Sequence, residues 1–74
     1  MNREELSKEL LKKKIPQDAY SLFGGLPNEC FCLAEEKQWE VYYSERGKKT
    51  QLRKFNSEDE ACEFMYKKLI NIFC

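Results

Sequence analysis

A chain of 74 residues can hold one hydrophobic core and no second one, so a single domain over residues 1–74 is expected. Its 13 basic and 13 acidic side chains cancel, which argues against a general nucleic-acid binder, and the count of zero histidines removes the usual general base and the commonest metal ligand. At 42% hydrophobic and 14% aromatic the chain is too apolar to stay disordered, while 35% charged residues imply a heavily solvated exterior.

The longest apolar stretch, Ile15 to Leu26, contains Asp18 and is broken by Pro16, Gly24 and Gly25. A membrane helix needs roughly 18 apolar residues, so none is expected. The opening Met1-Asn2-Arg3-Glu4-Glu5 lacks the apolar centre of a secretory signal, which makes the cytoplasm the expected compartment. In that compartment Cys30, Cys32, Cys62 and Cys74 are expected as buried, reduced thiols. Cys30 and Cys32 do not make a Cys-x-x-Cys pair, and a zinc site would need all four thiolates to converge. Neither a metal nor a cofactor is expected.

In chain order, Asn2 and Glu5 form a capping-box pattern ahead of Leu6, Leu10 and Leu11, which predicts a helix with one narrow apolar stripe. Lys12, Lys13 and Lys14 fall in its last turn, and Pro16 ends it. Tyr20 to Phe23 is a short strand candidate, with Tyr20 and Leu22 on one side. Gly24-Gly25-Leu26-Pro27-Asn28 is the strongest turn signal in the chain; no lysine–serine pair follows it, so it is not a P-loop. Cys30 to Glu35 alternates as a strand, with Phe31 and Leu33 on one face and Cys30, Cys32 and Ala34 on the other. Trp39 to Tyr43 alternates too, Trp39, Val41 and Tyr43 facing away from Glu40 and Tyr42. Polar connections at residues 36–38 and 44–48 join these to a third strand near Lys49 to Phe55. That last strand is poor in large apolar residues, which predicts a sheet edge; Leu52 and Phe55 fall on opposite faces unless a bulge intervenes. Ser57 and Glu60 cap a closing helix whose apolar face is Ala61, Phe64, Met65, Leu69, Ile72 and Phe73, with Cys62 and Tyr66 at its margin and Lys67 and Lys68 toward its end.

Two amphipathic helices that bracket strands with one apolar face predict an α+β two-layer sandwich, a small antiparallel sheet with both helices on one side. Double-stranded-RNA-binding domains share this order, and they dock phosphates with basic residues that open the second helix. Here that helix opens Ser57-Glu58-Asp59-Glu60, followed by Glu63, and the field there repels phosphate. A nucleic-acid-binding module therefore stays the alternative, carried by the basic run Arg46, Lys48, Lys49, Arg53 and Lys54 beside Tyr42. An enzyme is not expected, nor a small-molecule substrate: no histidine exists to activate a cysteine, and so small a fold is expected to lack a concavity of about 300 Å³.

The segments Ile15-Pro16-x-Asp18-x-Tyr20-Ser21-Leu22, Gly24-Gly25-Leu26-Pro27-Asn28-Glu29, Trp39-Glu40-Val41-Tyr42-Tyr43-Ser44-Glu45-Arg46-Gly47 and Phe55-x-Ser57-Glu58-Asp59-Glu60-Ala61-Cys62 span nearly the whole chain. In them the chain resembles the small bacterial immunity proteins encoded beside polymorphic toxins, and among these the immunity protein 59 family. The resemblance implies a cytoplasmic protein that binds a cognate toxin domain and blocks it, with no catalytic residues to carry over. Many such toxins are nucleases with basic clefts, where carboxylates can stand in for phosphate. The expected partner surface is Glu35, Glu36, Glu40 and Glu45, with an exposed Trp39 or Tyr42 as its aromatic anchor.

Overall fold

The computed structural model describes residues 1–73; the expectation for Cys74 lies outside the described residues. Helix α1 (Arg3–Lys12) starts as its capping box predicts: Asn2 Oδ1 accepts the Glu5 N–H at 2.8 Å, and Glu5 Oε1 accepts the Asn2 N–H at 3.0 Å. Its end lies before the proline. The Ile15 N–H donates to the Leu10 carbonyl and the Lys14 N–H to that of Leu11, the paired bonds of a Schellman motif with Lys14 left-handed at φ 60°. Only Lys12 of the predicted lysine triplet therefore lies in the last turn; Lys13 is the C-cap and Lys14 is past it. The turn drives Ile15 into the core, 3% exposed.

Four strands follow: β1 (Tyr20–Ser21), β2 (Cys30–Glu35), β3 (Trp39–Glu45) and β4 (Lys48–Phe55), in the spatial order β1-β2-β3-β4. β2, β3 and β4 form the antiparallel meander, but β1 runs parallel to β2, so the sheet is mixed where an antiparallel one is expected. The reason is the connection. Residues 22–29 do not turn back as a hairpin; they wrap the sheet edge, with Leu22 buried on the helix side and Gly24 and Gly25 lying over the other face. β1 stops at Ser21 because the Ser21 hydroxyl donates to the Gly24 carbonyl at 2.9 Å, which bends the chain away. The β3–β4 hairpin closes on Arg46 and Gly47, both left-handed as a two-residue type I′ turn demands. β4 is an edge strand, as β1 is on the other side, and its register slips between Val41 and Tyr43, where Gln51 also takes a positive φ.

Helix α2 (Glu58–Phe73) is capped by Ser57, whose hydroxyl oxygen accepts the Glu60 N–H at 3.2 Å and whose O–H donates to the Glu60 carboxylate. Both helices cover the same sheet face. Leu6, Leu10, Leu33, Val41, Ala61, Met65 and Leu69 meet there, all at most 1% exposed. Two details of α2 differ from expectation. Cys62 sits at the centre of its buried face rather than at the margin, because α1 packs on that side; Ile72 and Phe73 stand about half exposed, along a groove they share with Phe31, Tyr43 and Gln51. Lys67 and Lys68 precede the last turn, which holds no cation. On the opposite sheet face a second, small cluster forms from Cys30, Cys32, Ala34 and Tyr42 under the glycine loop.

Candidate functional site

Strand register divides the expected partner residues among three places. Glu35 lies opposite Trp39 at the β2–β3 hairpin and Glu36 follows in the turn; both glutamates are exposed and Trp39 is half-buried. Glu45 stands six residues along β3 from Trp39, roughly 20 Å at the usual strand rise. Glu40 and Tyr42 point to the other face, and the expectation that they are exposed is corrected: Glu40 is 8% and Tyr42 2% exposed.

Their burial has a local cause. The Tyr42 hydroxyl donates to the Gly25 carbonyl at 2.6 Å and so pins the loop of residues 22–29 across the sheet. The Lys49 ammonium lies 4.8 Å from the Tyr42 ring centroid and 3.2 Å from Glu40 Oε1, closing the face from the β4 side. Burial pushes the Tyr42 phenol up to about 12, helped by the neighbouring Cys32, Glu40 and Glu36, so it stays a donor at neutral pH. Burial likewise pushes the Cys32 thiol up to about 12 and that of Cys62 to about 11, and both are protonated at neutral pH. Cys30, Cys32 and Cys62 are unpaired and buried, as expected for reduced thiols.

At the hairpin end of the sheet the tertiary fold brings together a constellation that sequence reasoning missed. The Arg3 guanidinium lies between two rings, 4.6 Å from the Phe23 centroid and 5.1 Å from that of Trp39. Arg3 is aimed there by the helix start: its N–H donates to Glu58 Oε2 at 2.8 Å, fastening the first turn of α1 to that of α2. Arg3 Nε is buried and has no hydrogen-bond partner among the described residues, so cation–aromatic stacking is what holds the group. Phe23 is 80% exposed, well above any other large apolar side chain. It forms a ridge between two grooves, one of about 350 Å³ lined by Arg3, Glu4, Ser7 and Glu58, the other of about 230 Å³ lined by Ser7, Leu11, Gln17 and Tyr20. The sequence carries one usable signal for Phe23, an aromatic placed directly before the strongest turn. Nothing local marks Arg3.

The rival features look different in three dimensions. Of the basic run, Lys49 is committed to Glu40, Arg53 lies 5.9 Å from the Phe64 ring, and Lys54 pairs in register with Glu40. The acidic start of α2 stays at the surface; the Met1 amino group pairs with Asp59 and reaches Glu63. A shallow, open groove of about 520 Å³ runs along α2 past Phe64, Tyr66 and Lys67. No group of three or more potential metal ligands converges among the described residues, and no described helix is long and apolar enough to cross a membrane. No family model, curated protein or solved structure matches the chain.

Proposed function

We propose that this domain is an immunity-type protein that binds and neutralises a cognate bacterial toxin domain in the cytoplasm, without cofactor or catalysis. The resemblance of the chain to immunity proteins motivates the reading. The observation that supports it is the hairpin end of the sheet, where exposed Glu35 and Glu36 stand beside the Phe23–Arg3–Trp39 stack. Aromatic and arginine side chains carry most interface energy, and unneutralised carboxylates steer a basic partner into place. Glu35 and Glu36 have no cation within 4 Å among the described residues. Glu45 stands apart at the far end of β3, and Tyr42 serves the surface by holding the loop that presents Phe23.

Co-expression with the product of the neighbouring gene, expected to be a toxin, tests this. The expected result is rescued growth and a stable one-to-one complex on gel filtration. Full toxicity with no complex overturns the reading, and a gel shift of single- or double-stranded RNA at physiological salt would replace it with the nucleic-acid alternative.

A further inference from the structure

We infer that Phe23 is the anchor of the partner interface, and that the partner presents an apolar pocket rimmed by basic side chains to receive it. The inference deepens the proposed function and rests on it. Three observations carry it. First, the exposure is out of proportion: Phe23 is 80% exposed, whereas Leu11, Leu26, Leu52, Ile72 and Phe73 range from 42% to 53%. Second, the ring is preorganised. Leu22 on one side is buried to 7%, and on the other the Gly24 N–H donates to the Leu33 carbonyl at 2.8 Å while the Tyr42 hydroxyl holds Gly25. The Arg3 guanidinium, itself seated on Trp39, supports the ring from below. A side chain already held in place loses little entropy on binding, which is what makes a rigid aromatic an effective anchor. Third, the surroundings select the occupant. Glu58 and Glu4, the latter paired with Lys8 at 3.8 Å, border the groove on one side of the ring, and Glu35 and Glu36 follow at the adjacent hairpin with no cation within 4 Å among the described residues. A partner pocket with a basic rim meets both the ring and those carboxylates, whereas a second copy of this chain would oppose like charges.

The test uses the full chain and the product of the neighbouring gene, with affinity and rates measured by biolayer interferometry. Phe23→Ala is expected to weaken binding about 30-fold or more, chiefly through faster dissociation. Ile72→Ala, an exposed apolar control at the other end of α2, is expected to change it less than threefold. Glu35→Gln with Glu36→Gln is expected to slow association several-fold at low salt and to converge with the wild type at high salt. Binding should also shift the emission of Trp39, the single tryptophan, which a purely structural role for Phe23 would not produce. Unchanged melting of Phe23→Ala by circular dichroism separates lost contact from lost fold. If the wild type binds and Phe23→Ala binds within threefold of it, the inference fails and the proposed function stands. If the wild type forms no complex, both fall.

Discussion

Gly24→Ala and Gly47→Ala place the same methyl group at nearly the same positive φ, +76° and +75°, in two different surroundings. A left-handed alanine costs about 1–2 kcal/mol, and the stiffer unfolded chain returns about 0.4–1, leaving about 1 kcal/mol at either site. At Gly47 nothing lies within 4 Å of the new methyl, so that is the whole cost. At Gly24 it would stand 3.3 Å from the Ala34 Cβ and 3.9 Å from the Tyr42 hydroxyl. Ala34 is fixed in β2 at 4% exposure, so the loop has to give by a few tenths of an ångström. That displacement strains the Gly24–Leu33 and Tyr42–Gly25 hydrogen bonds, each contributing about 1 kcal/mol net. Gly24→Ala is therefore expected to cost about 2–3 kcal/mol, lowering Tm by about 10–20 °C, against about 4–8 °C for Gly47→Ala. Parallel urea titrations followed by circular dichroism measure the difference. Equal losses in the two variants would refute the view that the loop is clamped onto the sheet at Gly24.

The other expectations concern backbone, titration and core. Lys14→Gly and Arg46→Asn relieve left-handed non-glycine residues at φ 60° and 53°, and each is expected to stabilise by about 0.5–1 kcal/mol in the same titration. Cys32, Cys62 and Tyr42 have folded-state values raised to about 12, 11 and 12 from ordinary values of 9.0, 9.0 and 10.0. A raised value means that the folded chain keeps protons the unfolded chain gives up. Stability is thus expected to be level below about pH 8 and to fall as pH climbs from 9 toward 12; a Tm that rises over that range would contradict it. In a Cys74→Ser background the remaining thiols are expected to resist iodoacetamide at pH 8 until denaturant unfolds the chain, as read by mass spectrometry. Met65→Ala removes a fully buried side chain between α2 and the sheet and is expected to cost about 2–5 kcal/mol, enough to leave so small a domain partly unfolded at 37 °C.

Part of the candidate site is legible in the sequence. Of the expected Glu35, Glu36, Glu40 and Glu45 with Trp39 or Tyr42, the register brings Glu35, Glu36 and a half-buried Trp39 together at the hairpin. Tyr42 and Glu40 were misplaced for a specific reason. Alternation says correctly that they share a face away from the helices, but whether that face is wet depends on what crosses it. The Gly24–Gly25 loop does so, having left a strand that pairs in parallel with β2. β4 runs within one residue of its expected bounds, whereas β1 stops two residues short of Phe23, where the Ser21 hydroxyl bonds the Gly24 carbonyl and bends the chain away.

What the amino-acid order determined by itself is everything decided within about four residues: the capping box of Asn2–Glu5, the Ser57 cap of α2, the apolar stripes of α1 and α2, the opposed faces of β2 and β3, and the hairpin at Gly47. Caps and periodicities are short-range interactions, so they are written in the local string. Only the tertiary structure decided the parallel β1, the burial of Glu40 and Tyr42, the central place of Cys62, and the meeting of Arg3, Phe23 and Trp39. Those three side chains come from a helix start, a loop and a strand. No local rule couples them; they meet because burying the helix faces against one sheet brings the start of α1 over the open end of β3.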